Sequence, residues 1–433
     1  MQYKQFVQDA TPAPLWWTGR PRIEQLDCDL ARNVDVVVVG SGYTGLAAAI
    51  TLARRGRHVI VLEARQIGFG ASTRNSGMLG PSFPKPGLSG LIDAYGNTAA
   101  QALMDESLKA LAYTRRFIED EGIECGLAEV GRLVAALRSK DYDDLGYQAA
   151  VLKERFGIAA RMIPRDEQRS EIGSDLYCGG MLLERDSSLN PALYHDGLVN
   201  VALKSGVSFA PDTPVLDISA MGDTHLVTTS RGQIRSRNAI IATNGYTGQV
   251  SQYLRRRIVP ISSALIATEP LPSGQMRRLM PGQRLIEEKR RVLYYYRTSP
   301  DGARLIFGGR AVRPGDGAIA NSLGLYAAML RVFPELAGVR AEFAWSGLIA
   351  YTFDLLPHLG EVAGVHYALG CCGSGIGRST WLGHKIALKV LQDPEGHTAY
   401  DNLEFQTRPL YYGDPWFLRP AVAWQRLRDA IGI

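Results

Sequence analysis

An α/β fold, with a Rossmann-like dinucleotide-binding domain interleaved with an α+β domain built on an antiparallel sheet, is predicted by three features of the sequence. An apolar strand runs straight into a glycine turn and a helix between Val34 and Arg55. Short β-like runs recur over 207–242 and again over 256–310, and a second glycine cluster precedes a helix near the end, at 370–391. Because the two kinds of segment alternate, residues 1–95, 187–255 and 340–433 are assigned to the nucleotide-binding domain and 96–186 and 256–339 to the second domain.

The dinucleotide unit is the most informative stretch. Val34–Val39 is continuously apolar but for Asp35, as suits a strand buried on both faces. It leads into Gly40-Ser41-Gly42-Tyr43-Thr44-Gly45. Gly40 permits the tight turn, Gly42 lets the backbone approach a pyrophosphate, and Gly45 lets the helix pack on the strand. Tyr43 and Thr44 open the helix, whose first N–H groups have no partner within it and suit a phosphate. Gly56 ends the helix, 58–62 forms a second strand, and Glu63 stands at its end, placed to accept hydrogen bonds from ribose hydroxyls. A carboxylate there repels a 2′-phosphate. A glycine-rich turn alone would be weak evidence; strand, turn, helix, strand and acid in order point to a dinucleotide.

The remaining elements follow from period and punctuation. A Gly/Ser-rich loop covers 68–90, where Pro81, Pro84 and Pro86 oppose a helix. Helical periodicity runs over 98–121 and 141–156, with a strand at 131–137 between them. Asn190-Pro191 reads as a cap and first helical residue for a helix to about Lys204. Strands are expected at 207–209, 213–218, 225–229 and 233–242, and 293–297 with 304–307 makes a hairpin around Pro300-Asp301-Gly302. A last strand at 366–369 precedes the helix 377–391.

Composition sets the class. The 433 residues suffice for about two to three domains. With 46% apolar and 21% charged residues the chain is an ordinary globular one, and no apolar run approaches the roughly 18 residues of a membrane helix. The start of the chain lacks a basic, then apolar, leader, and five scattered cysteines make neither a disulfide framework nor a metal pattern, so a cytoplasmic protein without metal is expected. The net charge of +5 includes the clusters Arg255–Arg257 and Lys289–Arg291, which are short, lack interleaved aromatics and read as solvated surface, not a nucleic-acid site.

Glu63-Ala64-Arg65, followed by Gly68-Phe69-Gly70-Ala71-Ser72-Thr73-Arg74-Asn75-Ser76-Gly77-Met78, resembles the D-amino-acid-oxidase family of flavoproteins, which includes glycine and sarcosine oxidases. The gamma-glutamylputrescine oxidoreductase branch is the nearest in pattern, including the aromatic lead-in Pro14-Leu15-Trp16-Trp17. The resemblance implies FAD, with Arg74 and Asn75 beside the cofactor and Gly77 and Met78 passing the flavin ring. It further implies an adenine contact near Val215, a cofactor-approaching turn at Gly245, and a helix entry at Gly373, Ser374, Gly375 and Ile376 facing the flavin; Ser374 stands where the family usually has histidine. No covalent attachment is expected, because Ile349 occupies the place of the cysteine that links flavin in sarcosine oxidases.

With no second dinucleotide unit, the substrate itself reduces the flavin. The expected partners are a small amine or amino acid and oxygen or another electron acceptor. Arg297 is the candidate for binding a substrate carboxylate, the alternative being an ion pair on the sheet surface. Tyr295 shares its face by strand alternation, while Tyr294 and Tyr296 point to packing. The histidines, His195 among them, read as ordinary hydrogen-bonded residues. An oxidase is expected first; a dehydrogenase is the second reading, kept open because the place of the oxygen-activating lysine of sarcosine oxidases holds Ile306. A non-enzymatic flavin subunit is the third reading.

Overall fold

The computed structural model describes residues 4–20, 26–310 and 318–431. At its centre Asn33–Val39 lies parallel to Val59–Leu62 on one side and to Gly232–Ile241 on the other. Val365–Leu369 also joins Gly232–Ile241 in parallel, and Ser208–Ala210 extends the sheet beyond Val59–Leu62. Val37 and Val38 are wholly buried, as a strand covered on both faces requires: Val38 packs under the helices, and Val37 against Val227 and Ile234 of neighbouring strands. The helices Tyr43–Arg54 and Ile376–Val390 cross tightly over it: a Cβ at Gly383 would come 2.1 Å from the Thr44 carbonyl oxygen. A larger residue there would force the two helices apart.

Among the described residues the second sheet has nine strands. Its order is Phe6–Thr11, Ala341–Tyr351, Val259–Thr268, Leu305–Arg310, Tyr294–Thr298, Leu285–Glu288, Arg132–Ala135, Gly180–Leu183 and Ala160–Ile163. Pairing is antiparallel except at Phe6–Thr11 and between Leu285–Glu288 and Arg132–Ala135. The two faces differ. Tyr296 stacks on Phe307 with centroids 5.1 Å apart, in the core that also holds Met329 and Phe333. Tyr295 lies on the other face, against Trp16, Ile306 and Trp345. The alternation expected of Tyr294–Arg297 is therefore present.

Several elements depart from expectation. The helix expected from 98 begins at Gly87, directly after Pro86, and bends at Gly96, whose φ of 80° breaks the helical path. The helices Ala318–Val332 and Leu418–Ile431 and the strand Phe6–Thr11 were not foreseen. Phe6–Thr11 and Ala341–Tyr351 sit in the nine-stranded sheet, although 1–95 and 340–433 were assigned to the nucleotide-binding domain; they pair with each other from opposite ends of the sequence, and Ala341–Tyr351 pairs also with Val259–Thr268, which local pattern does not encode. Nor are the basic clusters simply solvated. Arg257 lies 3.6 Å over the Tyr253 ring and donates to the Phe405 carbonyl, and Arg290 pairs with buried Glu288. No helix among the described residues is long and apolar enough to cross a membrane.

The helix pair also creates an acid-sensitive point. His384 stacks on Tyr113 at 4.6 Å, its Nδ1 is 3.0 Å from Thr51 Oγ1, and burial pulls its pKa down to about 4. The unfolded chain takes up this proton first, so the contribution is intact above pH ~6.5 and is lost as pH falls toward 4, at up to about 1.4 kcal/mol per pH unit. Urea midpoints measured at pH 7, 5.5 and 4.5 should fall less steeply in His384→Gln than in the parent; equal slopes would refute this account.

Candidate active site

The glycine turn works as a cradle because side chains do not fit in it. Gly40 has a φ of 104°, a left-handed conformation that favours glycine. A Cβ at Gly45 would lie 1.9 Å from the Gly40 carbonyl oxygen, and one at Gly42 would meet Ser72 Oγ at 3.0 Å. The helix opens at Tyr43 with Gly42 as an N-cap that offers no side chain, so its first turn is left to serve what binds in front of it. Tyr43 N–H donates to Ser72 Oγ at 3.1 Å, tying the turn to the loop opposite.

Glu63 ends its strand with the carboxylate already oriented. Oε2 accepts from Ser41 N–H at 3.0 Å and Ser41 Oγ at 2.7 Å, and Oε1 accepts from Arg65 N–H at 3.2 Å. A carboxylate so held needs little further ordering to receive ribose hydroxyls. Beside it opens a cavity of about 310 Å³ lined by Gly40–Thr44, Glu63–Arg65, Gly70–Ser72 and Val215. His195 is buried beneath, with Nε2 2.7 Å from the Ser41 carbonyl oxygen, a structural role of the ordinary kind expected.

Arg74 to Met78 continue the loop away from this cavity. The Arg74 guanidinium lies between the rings of Trp17 and Phe69, at 4.6 and 4.7 Å, and donates to the carbonyls of Phe69 and Ser346. It braces the loop and does not line the cavity. Asn75 folds back on the loop, accepting from Gly77 N–H and donating to the Ser72 carbonyl.

Arg297 requires a correction. Its side chain is inside the protein, 6% exposed, with Nη1 donating to the carbonyls of Ser76, Gly77 and Leu189 at 3.0–3.3 Å and Nε to that of Thr298. The Trp16 ring covers it at 5.7 Å. Burial pulls its pKa down to about 10. A guanidinium so engaged holds backbone together; it does not stand open as a carboxylate clamp, nor is it in a surface ion pair. Tyr295 shares its face as expected, with its hydroxyl 3.0 Å from Ser263 Oγ.

The second glycine cluster lies between Val365–Leu369 and the helix beginning at Ile376, where Gly373 has a φ of 93° and Ser374 N–H donates to the Cys371 carbonyl at 3.2 Å. Buried Arg378 ties that same carbonyl to the Ser82 carbonyl, joining the two loops. Gly373–Ile376 do not line the cavity; Ser379, one turn on, does. Gly245 is also off it. A Cβ there would come 2.9 Å from the Leu348 backbone, so this glycine serves the approach of two chains, and its neighbours Asn244 and Tyr246 line the cavity instead. Thr243 and Gln249 were missed as well; Thr243 closely follows the strand Gly232–Ile241, as Gly40 follows its own, and Gln249 carries no such local signal.

The family model described as FAD dependent oxidoreductase (DAO) matches residues 35–388. The chain belongs to this family. It is 30% identical over 387 residues to probable oxidoreductase OrdL of Haemophilus influenzae, covering 88% of each chain. It is 29% identical over 408 residues to gamma-glutamylputrescine oxidoreductase of Escherichia coli, covering 92% of this chain and 93% of the relative. The crystal structure of glycine oxidase from Geobacillus kaustophilus superposes with a TM-score of 0.70 at 23% identity, over 88% of this chain and 99% of that one, which shows a common fold. This flavoprotein is thus an FAD-dependent oxidoreductase, and the site fits the cofactor: glycines where a Cβ would fill the cradle, an uncapped helix start and an oriented carboxylate all line one cavity.

Glu63→Gln keeps the shape but removes the charge that Ser41 addresses and that is expected to receive a ribose. Charge-assisted hydrogen bonds contribute about 1.5–3 kcal/mol, so FAD affinity should fall roughly ten- to a hundredfold in fluorescence titrations of the apoprotein. An unchanged Kd would remove Glu63 from the ribose site.

Proposed function

We propose that the chain binds one FAD non-covalently and uses it to dehydrogenate the carbon–nitrogen bond of a small amine or amino acid, the imine then being hydrolysed and the electrons passing to oxygen. FAD, when bound, supplies the acceptor for a hydride equivalent from the substrate carbon. The observation that carries the reading is the cavity with Glu63 and the glycine cradle in a chain of this family. The likeness to a gamma-glutamylputrescine oxidoreductase and a glycine oxidase supports a substrate of the amine or amino-acid class. Non-covalent binding is supported by Ile349, and by Cys372, whose thiol burial pushes up to about 11 and out of the nucleophilic range.

The work left to the protein is to position and to exclude water. Trp16, Trp345 and Tyr295 form an apolar wall on the sheet face turned to the cofactor loop. Behind that loop, Arg297 carries a charge with no ion pair to any described residue. Its positive potential favours the neutral form of an amine, the form able to give up a hydride. Since its donors hold backbone carbonyls, an amine is favoured over a substrate that needs a carboxylate clamp.

One observation favours a second reading, a flavin dehydrogenase for an amine or hydroxy acid that reduces a quinone or an electron-transfer protein. Ile306 is buried in the same apolar cluster, so the site of the oxygen-activating lysine in sarcosine oxidases carries no charge here.

Amines, amino acids and polyamine conjugates added to the holoprotein without air should include one that bleaches the flavin, with colour returning on exposure to air. If none bleaches it, the enzymatic reading fails; if colour returns slowly in air but fast with a quinone, the dehydrogenase is assigned. Acid precipitation should leave a colourless pellet. Arg297→Lys, which lacks the fork that reaches several carbonyls, should lower kcat/KM by a similar factor for an acidic substrate and its amide analogue. A selective loss for the acid would restore Arg297 as a carboxylate clamp.

A further inference from the structure

Five consecutive residues of the cofactor loop are each held by a side chain from elsewhere in the chain. Trp17 Nε1 donates to Thr73 Oγ1 at 3.0 Å, Trp345 Nε1 to the Arg74 carbonyl at 2.8 Å, and Trp16 Nε1 to the Asn75 carbonyl at 2.8 Å. Arg297 Nη1 takes the carbonyls of Ser76 and Gly77. Two of these donors, Trp16 and Trp17, belong to a segment that precedes the family match at residue 35. The Trp17 ring also lies on the Arg74 guanidinium, whose other face meets Phe69, a residue of the cavity wall.

That segment is anchored at both ends. Upstream, Phe6–Thr11 pairs in parallel with Ala341–Tyr351 at the edge of the large sheet. Downstream, the Arg20 guanidinium makes a two-pronged ion pair with Asp196, on the helix Pro191–Lys204. Between the anchors, Trp16 meets Trp345 edge to face, with centroids 6.4 Å apart.

We infer that residues 14–20 are a strap whose indole groups hold the 73–77 loop closed and so set how fast FAD leaves. The inference rests on the reading that FAD fills the cavity in front of Gly40–Thr44. The loop forms one wall of that cavity through Gly70–Ser72 and follows no helix or sheet from Arg74 to Gly77, so its conformation depends on the donors that meet its carbonyls. Trp16 and Trp17 are positioning residues: they act on the cofactor through the loop and touch none of the reacting atoms.

The test uses the holoprotein and two variants. Trp16→Phe with Trp17→Phe leaves a smaller aromatic ring at each position and removes both N–H donors; Arg20→Gln frees the downstream anchor and leaves the indoles themselves in place. FAD release is followed by recovery of free-flavin fluorescence after dilution, and melting temperatures are taken with and without FAD. The double variant should release FAD roughly tenfold or more faster, Arg20→Gln several-fold faster, and the loss of melting temperature should be larger with FAD than without it. Unaltered release in both variants, or an equal loss of melting temperature in apoprotein and holoprotein, would overturn the strap and leave Trp16 and Trp17 as core packing. If the double variant does not fold, Arg20→Gln decides alone. A parent protein that takes up no FAD would overturn the cavity assignment and the strap together; normal uptake with unaltered release overturns the strap only.

Discussion

At Gly45 the helix after the first glycine turn passes so close to the chain before it that a methyl group would land 1.9 Å from the Gly40 carbonyl oxygen. Much else depends on that contact. It sets the start of the helix at the end of the parallel strand, which places Tyr43 and Thr44 on the cavity wall. It also brings the helix to where Ile376–Val390 crosses it, with Gly383 against the Thr44 carbonyl, and this crossing carries the second glycine cluster toward the same cavity. A side chain at either glycine would be felt as a displaced helix, and through it as a misplaced binding wall.

A second constraint is the irregular backbone between the two sheets. Loops that pass through an interior must find partners for their carbonyls, and here two buried guanidinium groups supply them. Arg297 joins Ser76 and Gly77 to Leu189, and Arg378 joins Ser82 to Cys371. Burying a cation costs free energy, offset in part by charge-assisted bonds to several carbonyls at once, which the planar fork of arginine makes and the point charge of lysine does not.

Local patterns made most of the nucleotide-binding half legible. The order of strand, glycine turn, helix and acid is written in about thirty consecutive residues, and the Asn190 cap, whose side chain accepts from Ala192 and Leu193 N–H, lies beside the proline that marks it. What was not legible depends on contacts between distant residues. Alternation put Arg297 and Tyr295 on the same face but says nothing of what covers that face, and Trp16, which does, lies far earlier in the chain. The resemblance put a cofactor-approaching turn at Gly245; what its lack of a side chain serves in the fold is close approach to the Leu348 backbone. The strand Phe6–Thr11 has a polar, interrupted pattern, and its place in the sheet comes from pairing with Ala341–Tyr351.

The interleaving has a consequence for the life of the chain. The cavity draws its walls from residues as far apart as Val39 and Ser379, and the parallel sheet beneath it is completed only by Val365–Leu369. During synthesis the first glycine turn therefore emerges long before the walls that enclose the cofactor, and neither half can finish its sheet without the other. Such non-local pairing makes for slow folding with exposed strand edges in the meantime. The site in front of the first glycine turn is therefore closed late, after residues up to Ser379 have been made.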